Sequence, residues 1–136
     1  MPELPEVETV CRGLRVPLEG RVLKRVVQRR ADLRFPFPDS FVARLTDRTV
    51  QRIERRAKFI LMTMDDDTIL IVHLGMSGRM TIVDAATAPP PGPHDHVEFE
   101  TGDGILIRYC DPRRFGMMDL TTAATLGEHR MLRHLG

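Results

Sequence analysis

The chain has 136 residues, 42% of them hydrophobic and 29% charged, with a net charge of +1, a balance that fits one soluble globular domain with a single core. No apolar run approaches the ~20 residues a membrane span requires, and the acidic start lacks the basic and apolar regions of a secretory signal. Cys11 and Cys110 are too few and too scattered for a disulfide framework or a four-cysteine zinc site, so a reducing cytoplasm is the expected setting.

The chain opens MPELPEVETV. Leu4, Val7, Cys11, Leu14 and Leu18 recur at helical spacing, so a helix is predicted over 4–18, bent or frayed near Pro17 and ended by Gly20. Pro5 suits a first turn, and Glu6 and Glu8 complement the positive end of the helix dipole. Short runs rich in Val, Ile, Leu and Met follow, predicting strands at 21–30, 49–55, 58–64, 68–74, 79–84, 95–101, 105–110 and 116–121. Between the first two, Asp39-Ser40 reads as the cap of a short helix through Leu45. Asp65-Asp66-Asp67 and Thr101-Gly102-Asp103-Gly104 read as hairpin connections, and AATAPPPGPH at 85–94 as a mobile surface loop. The expected fold is mainly β with flanking helices: a two-sheet antiparallel β-sandwich with a long N-terminal α-helix and a helix at each end.

Several stretches carry chemistry. Removal of Met1 would leave Pro2 with a free secondary amine, whose pKa near roughly 7.7–8.0 keeps a useful fraction unprotonated at neutral pH. Such an amine attacking a sugar aldehyde carbon forms an iminium directly, and Glu3 beside it is placed for proton transfer. The other reading of these residues is a helix start. Of 20 basic residues only Lys24 and Lys58 are lysine; the arginines cluster at 29–30, 52–56 and 113–114, either as genomic bias or as a phosphate-binding surface. Arg55 and Arg56 alternate faces on a strand, one for phosphate and one for solvent. Met76 sits between Gly75 and Ser77-Gly78 just past an apolar strand, a poor place for a core residue, and Phe115 follows Pro112-Arg113-Arg114. His94 and His96 share a strand face at metal-like spacing, but no third ligand is in sight.

Four stretches in order, MPELPEVET, ERRAKFI at 54–60, HLGMSGRM at 73–80 and DPRRFG at 111–116, resemble the formamidopyrimidine-DNA glycosylase family, bifunctional glycosylase/lyases that remove oxidised purines from DNA. The resemblance runs over the whole chain. The endonuclease VIII branch shares the Pro-Glu start but is not expected to carry LGMSG and DPRRFG together. It implies that Pro2 is the nucleophile at C1′, that Glu3 is the acid/base for sugar ring opening, and that Lys58 acts near the lesion and its phosphate. Glu6 supports the same pocket or merely serves the helix dipole. Met76 and Phe115 become wedges that fill the space left by an extruded base, and Arg113 reaches the orphaned cytosine. Arg114 is structural or phosphate-directed; His73, and the loop carrying His94 and His96, contact phosphate.

The resemblance further implies base-excision repair of 8-oxoguanine and formamidopyrimidine lesions through a proline imine and β,δ-elimination. The partner is double-stranded DNA carrying oxidised purines, met by a monomer in a cytoplasmic, nucleoid-associated setting. It assigns residues 1–136 to the N-terminal catalytic domain, with no metal or other cofactor in this chain. A helix–two-turn–helix and a four-cysteine zinc finger are expected outside it, so weak or undetectable activity is expected of this chain alone. A non-catalytic module that binds damaged DNA is the competing expectation; a generic arginine-rich RNA-binding domain is a weaker third, given six Phe, one Tyr and no Trp.

Overall fold

A computed structural model describes residues 3–129 and 132. Helix α1 spans Leu4–Leu18 and buries Val7, Cys11, Leu14 and Leu18, the stripe predicted from periodicity. Pro17 lies inside the helix, one residue from its end, rather than breaking it, and Gly20 follows in the left-handed region at φ 80°. Strand β1 is Leu23–Gln28, and α2 is Phe41–Leu45. Ser40 stands at the start of α2 but is itself left-handed (φ 63°) and makes no side-chain cap, so the predicted capping bond is absent.

Seven further strands follow: β2 Val50–Arg56, β3 Phe59–Met64, β4 Thr68–His73, β5 Arg79–Asp84, β6 Asp95–Thr101, β7 Ile105–Cys110 and β8 Met117–Thr122. They form two antiparallel sheets, ordered β1-β6-β7-β5 and β2-β3-β4-β8. The fold is therefore the expected mainly-β, two-sheet arrangement with its long helix at the N-terminus. At the other end, the described residues carry only a 3₁₀ turn, Leu126–Glu128.

Side-chain alternation explains where the core sits. Ile60, Met62 and Met64 of β3 and Leu70 and Val72 of β4 face the main core with Val97, Phe99, Ile107 and Tyr109. Their neighbours Leu61, Ile69 and Ile71 point to the other face, where Leu132 and Leu126 cover them. Because both faces of β4 are covered, its sequence reads as an unbroken apolar run rather than an alternating one. Among the described residues no helix is long and apolar enough to cross a membrane.

The 85–94 connection, expected to be a free loop, is tethered. The Arg108 guanidinium donates to the Pro89 carbonyl, and Asp95 Oδ2 accepts from Gly92 N at 2.7 Å. Arg108 is itself paired with the buried Glu98 carboxylate at 2.5 Å, which Arg29 also reaches at 2.5 Å.

The topology places the site. Chain crossings between the sheets after β4 (residues 74–78), after β7 (111–116) and after β1 (29–36) all leave from one end of the sandwich, where the β2–β3 hairpin also turns.

Candidate DNA-binding and catalytic face

The N-terminal helix is fastened along β2. Arg15 Nε donates to the Ile53 carbonyl at 2.8 Å, Ile53 N donates to Glu19 Oε2 at 2.8 Å, and Arg55 Nε donates to Glu8 Oε1 at 2.9 Å. The Arg55 hydrogen bond is the largest influence holding the Glu8 carboxyl below its ordinary value. Arg55 is thus engaged with protein, while Arg56 is exposed. This staple carries the helix start to the tip of the β2–β3 hairpin, where Arg56 pairs with Phe59 and Ala57 turns the chain at φ 51°. Glu3, at the helix cap, lies with Oε2 3.7 Å from Lys58 Nζ. Glu3, expected to serve sugar ring opening, and Lys58, expected near the lesion and its phosphate, therefore share one place, although 55 positions separate them in sequence. Glu6 is exposed in the first helical turn. Pro2 lies outside the described residues.

Register then adds His73. Phe59 pairs with His73 across β3 and β4, and their rings meet edge-to-face at 5.0 Å. The Gly75 N–H donates to His73 Nδ1 at 3.0 Å, which leaves the ring proton on Nε2 as a donor. Burial pushes the imidazole pKa below its ordinary value, and the charges of Lys58 and Arg34 push it the same way. His73 is accordingly a neutral hydrogen-bond donor near neutral pH.

Beyond His73 lies an open cleft of about 380 Å³, lined by Arg34, His73, Gly75, Met76 and Phe115. Met76 and Phe115 are 48% and 41% exposed, large apolar side chains left at a rim. Their two loops are in backbone contact. Gly75 is left-handed (φ 64°), and a Cβ there would sit 2.5 Å from the backbone at Phe115 and Gly116. A Cβ at Gly116 would collide with the Tyr109 hydroxyl.

Asp111, fully buried, ties these loops together. Its Oδ1 accepts from Ser77 Oγ at 2.8 Å and Arg114 N at 3.0 Å; its Oδ2 accepts from Tyr109 OH at 2.8 Å and Gly116 N at 2.9 Å. Ser77 Oγ in turn accepts from Arg113 N at 3.2 Å. Burial, and then this carboxylate, push the Tyr109 hydroxyl pKa far up, so it stays a donor. The Arg113 guanidinium carbon stands 4.9 Å from the Phe115 ring centre, which orients both at the rim. Arg114, with φ 56°, turns toward Asp32 at 3.5 Å.

The two remaining histidines separate. His94 is exposed, and its carbonyl accepts from Asp111 N at 3.0 Å. His96 is only 3% exposed, and its Nε2 bonds the Asp111 carbonyl at 2.9 Å. The expected phosphate contact by His96 therefore gives way to a buried role beneath the Asp111 hub. Among the described residues no cluster of three or more His, Cys, Asp or Glu side chains is placed to hold a metal. Sequence reasoning missed Arg34, Ser77, Tyr109 and Asp111. The last was quoted inside DPRRFG without a role; Tyr109, Arg114 and Gly116 are near it in sequence, and Ser77 lies 34 positions away.

With this geometry in view, the comparisons are specific. The sequence profile of the formamidopyrimidine-DNA glycosylase N-terminal domain matches residues 1–118. The chain is 52% identical to the formamidopyrimidine-DNA glycosylase of Beijerinckia indica and 51% identical to that of Acidiphilium cryptum. It is covered completely in both alignments and spans 49% and 48% of those proteins, about half their length. Among solved structures it is similar to Lactococcus lactis Fpg bound to DNA containing an abasic site (TM-score 0.80, 31% identity). It is likewise similar to MutM in complex with DNA containing carbocyclic 8-oxo-G (TM-score 0.81, 32% identity). Each superposition covers 92% of this chain and 46% of the other.

Proposed function

The chain belongs to the formamidopyrimidine-DNA glycosylase family, and we propose that it supplies the catalytic face of a glycosylase/lyase that removes oxidised purines from duplex DNA. The observation that carries this reading is the meeting of Glu3, Lys58 and His73 beside a cleft rimmed by Met76 and Phe115. That is a proton-transfer group, a cation and a neutral donor next to two apolar side chains of wedge size. The relatives' solved complexes with abasic-site and 8-oxo-G DNA support DNA as the ligand.

In the proposed reaction Met1 is removed and the Pro2 amine uses its lone pair to form a bond to C1′. The glycosidic bond breaks, and the base leaves with its electron pair and takes up a proton. Glu3 delivers a proton to O4′ as the sugar ring opens, giving an iminium between Pro2 and C1′. Loss of a C2′ proton then expels the 3′ phosphate, and a second elimination expels the 5′ phosphate. Lys58 holds the phosphate charge while His73 donates a hydrogen bond, and Met76 and Phe115 occupy the helix interior while the nucleotide is out of the stack.

Borohydride trapping on an abasic duplex tests this directly. The expected result is a covalent adduct of one chain per duplex, abolished by Pro2→Gly carrying an N-terminal acetyl group. Duplex binding without any trapped adduct, in chains shown by mass spectrometry to lack Met1, would instead mark a non-catalytic damaged-DNA-binding module.

A further inference from the structure

Arg34 belongs to none of the four motif stretches, yet it lines the same cleft as His73, Met76 and Phe115. It reaches this place by a tight turn. Asp32 bridges to Pro36, Leu33 N donates to the Phe35 carbonyl at 3.0 Å, and Arg34 N donates to the Gly116 carbonyl at 3.1 Å. The turn is pinned through Asp32, which lies 3.3 Å from the Arg30 guanidinium and 3.5 Å from that of Arg114. The backbone of Arg34 is thus bonded to the loop that presents Phe115.

Charge is the second observation. Most arginines described in this chain stand within ion-pair distance of a carboxylate, as Arg15, Arg21, Arg25 and Arg48 do. The Arg34 guanidinium has no carboxylate in reach among the described residues; it faces the Phe35 ring at 5.5 Å. None of the five residues lining the cleft is acidic. Its charge is felt at His73, where it acts with Lys58 to disfavour protonation. An uncompensated, turn-fixed guanidinium beside a neutral imidazole donor is a complement to a phosphate oxygen pair.

We propose that Arg34 binds a backbone phosphate of the DNA in the cleft it shares with His73, and that it supplies the charge there while His73 supplies only a hydrogen bond. The proposal rests on the DNA reading above. It divides labour in a way that salt can measure, because each phosphate neutralised by a cation steepens the negative slope of log K against log salt by about 0.9, whereas a neutral donor contributes nothing to that slope.

The test is binding of a fluorescein-labelled duplex containing a tetrahydrofuran abasic analogue, followed by anisotropy between low and moderate salt. Arg34→Ala is expected to weaken binding about tenfold and to reduce the slope by about 0.9. Arg34→Lys should restore the slope, and His73→Ala should weaken binding with the slope intact. Arg44→Ala, an exposed arginine on α2 outside the cleft, controls for loss of net charge and should leave the slope unchanged. Circular dichroism checks folding, and Arg34→Gln stands in if Arg34→Ala unfolds. An unchanged slope in Arg34→Ala or Arg34→Gln, or a slope not restored by Arg34→Lys, overturns the proposal while the DNA reading survives. Failure of the unmodified chain to bind the duplex overturns both.

Discussion

Asp111 exposes none of its surface and receives four donors on two oxygens, so its ionised form is the only one that satisfies every neighbour. An asparagine would point an NH₂ group at two of those donors whichever way it sat. Asp111→Asn is therefore predicted to cost about 3 kcal/mol, read as a lower urea midpoint with the m-value unchanged. Tyr109→Phe removes a single donor and should cost about 1 kcal/mol. Equal costs for the two variants would show that the carboxylate is not the organising group.

His73 gives a pH signature of known sign. Its folded pKa lies below the ordinary value, chiefly through burial, so the unfolded chain takes up the proton first as pH falls. The stability it contributes is complete above about pH 6.5 and declines as pH drops from there through the lower folded value. Unfolding midpoints measured from pH 7.5 to 5 should fall less steeply for His73→Gln than for the unmodified chain. Parallel curves would contradict the buried, neutral imidazole.

At the scale of elements, the buried carboxylate of Glu98 joins β1, β6 and β7 by accepting from Arg29 and Arg108, and through Arg108 it holds the proline-rich 85–94 connection. Removing one partner of a buried ion pair leaves an uncompensated charge, so Glu98→Ala is predicted to cost about 3–5 kcal/mol. Hydrogen exchange should also rise at residues 85–94; if it does not, the tether is incidental. The strands themselves were legible because turn residues bracket short β-rich runs, and the eight predicted segments agree with the eight observed to within a few residues at their ends. The tether was not legible: proline and glycine signal a loop, but nothing local announces that Arg108, 19 positions away, donates to it. Ser40 failed as a cap for a similar reason, since residue type suggested the bond and the left-handed backbone took it away.

For the molecule as a whole, the site is a consequence of topology. The sequence shows LGMSG and DPRRFG as separate stretches, and only the two sheet-to-sheet crossings bring Ser77 within hydrogen-bonding distance of Asp111, 34 positions on. Glu3 and Lys58 meet because α1 is stapled along β2. His96 was misassigned because spacing alone cannot tell a strand's buried face from its exposed one. Arg34 was missed because a lone arginine in LRFP carries no local signal until the turn folds it against Gly116. The chain spans about half of the relatives it matches, and the face assembled within it is the part on which the proposed chemistry depends.

That face is most directly tested by amide chemical-shift mapping of the chain titrated with a duplex containing a tetrahydrofuran abasic analogue. Shifts are predicted at residues 30–36, 57–59, 73–78 and 111–116, which meet at one end of the sandwich, with the opposite-end turns at 65–67 and 101–104 unmoved. Shifts centred on those opposite turns, or spread evenly over the surface, would contradict the assignment of the DNA face.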